Sequence, residues 1–241
     1  MTPAFPSTIE DHPVVPHQEW LSARTAWLAK EKEFTRLRDE LSRERRELPW
    51  ERVEKEYRFE GPDGIETLAD LFAGKSQLVV YHFMFAPDWE AGCHACSFWA
   101  DNFNGIDVHL KHRDTSSLAI SRAPLAKLEA YKKRMGWNFK WVSSGNTDFN
   151  FDYHVSFRPD EVARKQAFYN FAVMDPLSPE REGVSVFYQD STGAVYHTYS
   201  TYARGIDIRN GAYNYLDLTP KGRDEAGRGM FWLRRHDEYA P

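Results

Sequence analysis

The sequence predicts an α/β layer structure, a mixed sheet flanked by helices, carried behind a long N-terminal helical extension. Three observations lead there. Strand-like and helix-like stretches alternate from about Glu56 to Val142, the pattern of βαβ units. Two apolar runs, Val184–Gln189 and Ala194–Tyr199, flank Asp190-Ser191-Thr192-Gly193, a hairpin signature. Before all of these, Trp20, Trp27, Phe34, Leu41 and Leu48 recur every seven residues. With 241 residues and 41% hydrophobic content, the chain is long enough to bury a real core, and reads as one domain with extensions.

Residues 1–16 are rich in proline and polar groups and read as an extended arm. The sevenfold stripe gives a helix from about His17 to Leu48, widened by Leu21, Leu28 and Leu37 and stopped by Pro49. Lys30 and Glu44 interrupt a coiled-coil seam, so the helix is expected to pack on a neighbouring domain or subunit, and a homodimer is expected. A short strand, Glu56–Phe59, closes on Gly61-Pro62-Asp63-Gly64 and leads to a short helix, Thr67–Phe72. The uncharged run Gln77–Phe85 is a buried strand. A helix is expected over Ser97–Lys111, weakened by Gly105, then a strand at Ser117–Ser121. Pro124 sits where a first helical residue belongs and opens LAKLEAYKKRM, and Phe139–Val142 makes a third strand. A helix from about Ile206 to Leu216 and a basic, aromatic tail finish the chain. The boundaries are therefore 1–50 for the arm and helix, 51–226 for the main domain and 227–241 for the tail.

Charge and motif exclude several functions. A net charge of −5 gives no footprint for nucleic acid. No run reaches the roughly 18 to 20 apolar residues of a membrane span, and MTPAFPSTIEDHP lacks the basic and apolar regions of a signal peptide. A cytoplasmic location follows, with no membrane partner. In that reducing compartment the only two cysteines, Cys93 and Cys96 in "FAPDWEAGCHACSFWAD", point to catalysis or metal rather than a structural bridge.

At the start of a helix, the first cysteine of C-x-x-C meets unpaired N–H groups and the helix dipole, which favour a thiolate. His94 adds positive charge when protonated, whereas Asp88 and Glu90 oppose it. The expected reaction has Cys93 attack a substrate disulfide and Cys96 resolve the mixed disulfide. Trp89 is a candidate for shaping a surface groove, and Arg122 and Arg204 are candidates for holding an anionic group such as a glutathione carboxylate. Zinc or copper would need ligands beyond two thiolates, and no second cysteine pair exists. Two alternatives stay open, a metal carrier and a non-catalytic binding or scaffold protein. No cofactor and no resident metal are expected.

The stretches "RRELPW", "LVVYHFMFAPDWEAGCHACSFWAD", "ISRAPLAKLEAYKKRMGW", "HTYSTYARGID" and "LDLTPKGRDE" resemble a bacterial thioredoxin-like family of dithiol-disulfide oxidoreductases of unknown function, across residues 15–226. The resemblance implies a thioredoxin-like fold for 51–226, a redox pair at Cys93 and Cys96, and a thiol or disulfide, on a protein or a small molecule, as partner. Two departures accompany it. Glu182-Gly183 stands where thioredoxins carry a cis-proline, and Ala91 stands where peroxiredoxins carry a hydroxyl. Copper-carrying relatives of the fold add one distant histidine to two cysteines, for which His154 or His197 is the candidate, though each reads first as a hydrogen-bonded structural residue.

Overall fold

Gln77–His82, which carries no charge, forms the strand around which the protein is built (β4). The computed structural model describes residues 11–240. Within them the chain divides into two units, residues 50–215 with 225–240, and residues 11–49 with 216–224. The first contains an eight-stranded sheet of order β1-β10-β9-β4-β5-β6-β2-β3. Its strands are β1 Glu51–Arg52, β2 Arg58–Gly61, β3 Gly64–Thr67, β4, β5 Thr115–Ser121, β6 Lys140–Ser143, β9 Gly183–Gln189 and β10 Val195–Tyr202. A separate hairpin pairs β7 Ala167–Tyr169 with β8 Ala172–Met174. The helices of this unit are α2 His94–Ala100, α3 Asp107–His112, α4 Leu125–Arg134, α5 Phe149–Asp152, α6 Pro159–Arg164 and the start of α7 Gly211–Leu216.

β4, β5 and β6 run parallel, joined through helices, while β9 lies antiparallel to β4 and hairpins into β10. A parallel pair joined by helices, followed by an antiparallel hairpin on the far side of the first strand, is the thioredoxin-like arrangement expected from the sequence. Because side chains alternate along a strand, β4 serves two cores. Leu78 and Val80 join Leu118, Ile120, Val142, Phe187, Phe72 and Phe149 on one face. Tyr81 points to the other, where Phe83, Tyr131, Trp137 and Trp141 pack ring against ring at centroid distances of 4.6–6.4 Å.

Several expected elements differ in the structure. The helix expected over Ser97–Lys111 begins earlier, at His94, and is two helices separated by turns, with Gly105 at φ +84° between them. The helix expected over Thr67–Phe72 shrinks to the 3-10 turn Asp70–Phe72, because Thr67 ends a strand, Gly64–Thr67, that the turn at Gly61–Gly64 returns against β2. The terminal helix breaks into a 3-10 stretch, Ala203–Arg209, and α7, with the buried Asn210 between them.

In the other unit, α1 spans His17–Arg46, ends three residues before Pro49 and carries Arg43, Arg45 and Arg46 at its C-terminus, where the helix dipole favours cations. It buries none of its residues, and Trp20, Trp27, Phe34 and Leu41 are each more than half exposed. No helix among the described residues is long and apolar enough to cross a membrane.

Candidate active site

Beyond His82 the chain continues beside β5 and then turns back into α2. Phe83 N–H donates to the Ile120 carbonyl (2.9 Å), Ala123 N–H to Phe85 (2.9 Å) and Cys93 N–H to Met84 (3.0 Å). From α4, the Lys127 ammonium donates to the carbonyls of Pro87 and Trp89, both at 3.0 Å. Gly92 is required by close approach: a Cβ there would stand 2.7 Å from the Phe83 ring and 2.9 Å from the Tyr131 ring. Cys93 follows in an extended conformation as the residue capping α2.

A directed chain of hydrogen bonds holds that turn. Arg235 Nε donates to the Tyr131 hydroxyl (2.7 Å), which lies 2.9 Å from Ser97 Oγ, and Ser97 Oγ donates to the Cys93 carbonyl (2.9 Å). A second arm of the same guanidinium, Nη2, donates to the Gly92 carbonyl (2.7 Å). Residues 225–240 thus reach the turn across the sheet unit, with Arg134 binding Asp237 and Glu238, and Asp101 binding His236.

Both cysteines are free, Cys93 partly exposed and Cys96 buried. Their environments drive the thiols apart. Cys93 is lowered to about 7, first by the Cys96 thiol donating to it, with the N–H groups of Cys96 and Ala95 adding to this, against the opposing effects of burial and the Glu182 carboxylate. Cys96 is pushed well up, chiefly by burial and by the proton it shares with Cys93. Its sulfur also accepts from Met84 N–H at 3.4 Å. The buried Tyr81 hydroxyl lies beside Cys96 and has no other hydrogen-bonding partner among the described residues.

The remaining residues singled out in the sequence are spread around this turn and away from it. His94 is exposed, and partial burial with the charges of Arg235 and Arg234 lowers its pKa, so it is neutral at pH 7. Trp89 is half-buried on the loop clamped by Lys127. Arg122 sits just past β5 and is engaged: it donates to Glu180 (2.8 Å), only 1% exposed, and lies over the Phe151 ring. Burial lifts Glu180 to about 7 despite Arg122 and the Ser156 hydroxyl. Arg204 projects into solvent beside Asp207, 3.3 Å away. No group of three or more His, Cys, Asp or Glu fit to hold a metal ion exists among the described residues.

His197 belongs to a different network, on the opposite face of the sheet from Tyr81. His82 Nε2, Ser185 Oγ, Ser200 Oγ and His197 Nε2 follow one another at 2.8, 2.8 and 2.7 Å, and His197 Nδ1 faces Glu51 at 3.6 Å. The chain ends at a cavity of about 340 Å³ lined by Tyr57, Tyr153, His154, Phe171 and Tyr202, among others.

Comparison with known proteins adds the family. The model of a bacterial protein family of unknown function (DUF899) matches residues 9–239. The chain belongs to that family. No curated protein matches the sequence. Among solved structures it is similar to peroxidoxin BcpB from Mycobacterium tuberculosis (13% identity, TM-score 0.44), covering 66% of this chain and 92% of that one. It is similar also to a cysteine-to-serine mutant of PrxQ from Xylella fastidiosa (11%, TM-score 0.41, 66% and 89% covered) and to the mitochondrial 2-cys peroxiredoxin from Plasmodium falciparum (12%, TM-score 0.37, 70% and 92% covered).

Sequence reasoning passed over Tyr81, Ser97, Tyr131, Glu182 and Arg235. Tyr81 lies inside the strand run that precedes the cysteines, so period-2 alternation places it on the face where α2 packs. Arg235 gave no such signal, since its partner Gly92 lies 143 positions away.

Proposed function

We propose that this protein is a thiol–disulfide oxidoreductase in which Cys93 is the nucleophile and Cys96 the resolving thiol. The observation that carries the reading is the division of labour between two free sulfurs one turn apart. The outer one is held near neutrality by donors, and the inner one is kept protonated by burial. The lowered pKa of Cys93 raises its share of thiolate near neutral pH, the form that attacks sulfur. It displaces one thiolate from a substrate disulfide and forms a mixed disulfide. Loss of the Cys93 negative charge removes one cause of the raised Cys96 pKa. The Cys96 thiol then gives up its proton and attacks Cys93, releasing the second substrate thiol. Two electrons pass from the dithiol to the substrate, and the protein is left with a Cys93–Cys96 disulfide. Two free thiols suit a reducing compartment, the cytoplasm.

The test is a pair of variants assayed on pre-reduced protein. Cys93→Ser reduces small-molecule disulfides no faster than buffer. Cys96→Ser performs the first half-reaction and stops, accumulating a mixed disulfide seen by mass spectrometry. A wild type that exchanges with no disulfide and cannot itself be oxidised to the Cys93–Cys96 bond refutes the reading.

The homodimer expected from the sevenfold stripe belongs to the same proposal. What supports it is the exposure of Trp20, Trp27, Phe34 and Leu41 along α1. Sedimentation of wild type against Trp27→Glu tests it, with a dimer expected only for the former.

A further inference from the structure

A cavity of about 220 Å³ is lined by His94, Leu233, Arg234, Arg235 and Glu238, so it reaches the residue that follows the nucleophile in the chain. It is tied to Cys93 from both sides along the chain, through His94, the next residue, and through Gly92, whose carbonyl Arg235 holds. Its volume is below the roughly 300 Å³ of pockets that enclose drug-sized ligands, which suits one arm of a small disulfide rather than a protein loop.

The charges around it do not cancel. Glu238 is taken by two cations, Arg235 at 2.9 Å and Arg134 at 3.0 Å. Arg235 is spent on Tyr131, Gly92 and Glu238 and is held in place as scaffold. Arg234 is the exception. Its Nη1 donates to the carbonyls of Leu233 (2.9 Å) and Phe231 (3.5 Å), and among the described residues it has no carboxylate partner. Those two carbonyl contacts fix the guanidinium at the cavity while leaving its other donors free. The Glu182 carboxylate also acts on Cys93, with the opposite sign. An anionic arm is therefore better accommodated at Arg234 than toward Glu182.

We propose that this cavity is an anion subsite selecting carboxylate-bearing small disulfides, with Arg234 as its specificity-determining residue; the inference rests on the oxidoreductase reading above. A guanidinium matches a carboxylate with paired, charge-assisted hydrogen bonds. Buried Leu233 supplies an apolar wall, and neutral His94 offers a further hydrogen-bonding ring nitrogen without adding charge.

The experiment compares three disulfides as oxidants of the pre-reduced full chain: dithiobis(nitrobenzoate), with two carboxylates, uncharged hydroxyethyl disulfide, and cystamine, with two ammonium groups. The second-order rate constant for formation of the Cys93–Cys96 disulfide is read by acid quench, alkylation and mass spectrometry. The ratio of the dianionic to the uncharged rate constant is expected to fall about tenfold in Arg234→Ala, as loss of one charge-assisted contact implies. Arg234→Glu shifts the preference further, toward cystamine, and Arg234→Lys restores part of the ratio. High salt lowers the wild-type ratio and leaves that of Arg234→Ala almost unmoved. Ratios that stay unchanged across the Arg234 variants overturn the subsite while leaving the oxidoreductase reading intact. A wild type inert to all three disulfides overturns that reading, and the subsite falls with it.

Discussion

Tyr81 and His82 are neighbours on β4 and face opposite sides of the sheet, and the two sides treat buried polar groups differently. On the His82 side the network closes on itself. His82 Nε2, Ser185, Ser200 and His197 Nε2 pair in sequence, leaving only His82 Nδ1 without a partner among the described residues, and burial holds His82 neutral, with its pKa lowered to about 3. On the Tyr81 side, burial acts on both thiols in the same direction, yet only Cys96 stays protonated. Cys93 receives what the histidine side lacks, the Cys96 thiol and two backbone N–H groups aimed at the atom that ionises. Burial silences a titratable group, and donors directed at its charged form reactivate it.

The largest expected effect breaks the comparison at its reactive end. Cys93→Ser removes disulfide exchange down to the buffer rate, whereas Ser185→Ala leaves that activity in place. Instead, Ser185→Ala lowers unfolding free energy in urea by about 1–3 kcal/mol, because the His82 and Ser200 groups it served stay buried without their partner. A redox defect in Ser185→Ala as deep as that of Cys93→Ser breaks the separation of the two faces.

Acid sharpens it next. His82 has a folded pKa below its unfolded one, so it contributes stability that is fully present above about pH 6.5 and is lost as pH falls toward 3. Each pH unit in that window costs on the order of 1 kcal/mol. His82→Gln keeps a donor for Ser185 and removes the titration, so its urea midpoint should vary less between pH 6.5 and 4 than that of the wild type. The thiol face has the opposite signature, a reactivity that rises with pH. The rate of Cys93 alkylation by iodoacetamide should climb through about pH 7 and level off above pH 8, while Cys96 stays unreactive until the protein unfolds. A Cys93 rate still rising at pH 9 removes the donors from the account.

The smallest effect is at the scaffold of the turn. Tyr131→Phe deletes the hydroxyl between Arg235 and Ser97, which should cost about 1–2 kcal/mol in unfolding free energy. Cys93 alkylation at pH 7 should change less than in any variant that moves the turn itself.

Much of this was legible in the sequence, and the reason is chemical. Gln77–His82 reads as a central strand because a strand covered on both faces carries no charge, and Cys93-His94-Ala95-Cys96 stands out because nothing else in the chain contains sulfur nucleophiles. The β7–β8 hairpin was not legible. It turns on Asn170 and Phe171 at φ +51° and +61°, with no glycine to announce it. α6 carries Pro159 at its first position, a signal present in the sequence but not used. The surroundings of Cys93 were least legible, because Arg122 is claimed by a buried glutamate and the basic tail lies far from the turn in sequence while meeting it in space.

The grip of Arg235 on Gly92 makes the reactive thiol hostage to the far end of the chain. Cutting the chain on the near side of Arg235, or replacing that one guanidinium, should therefore retune a sulfur that is its neighbour in space and not in sequence.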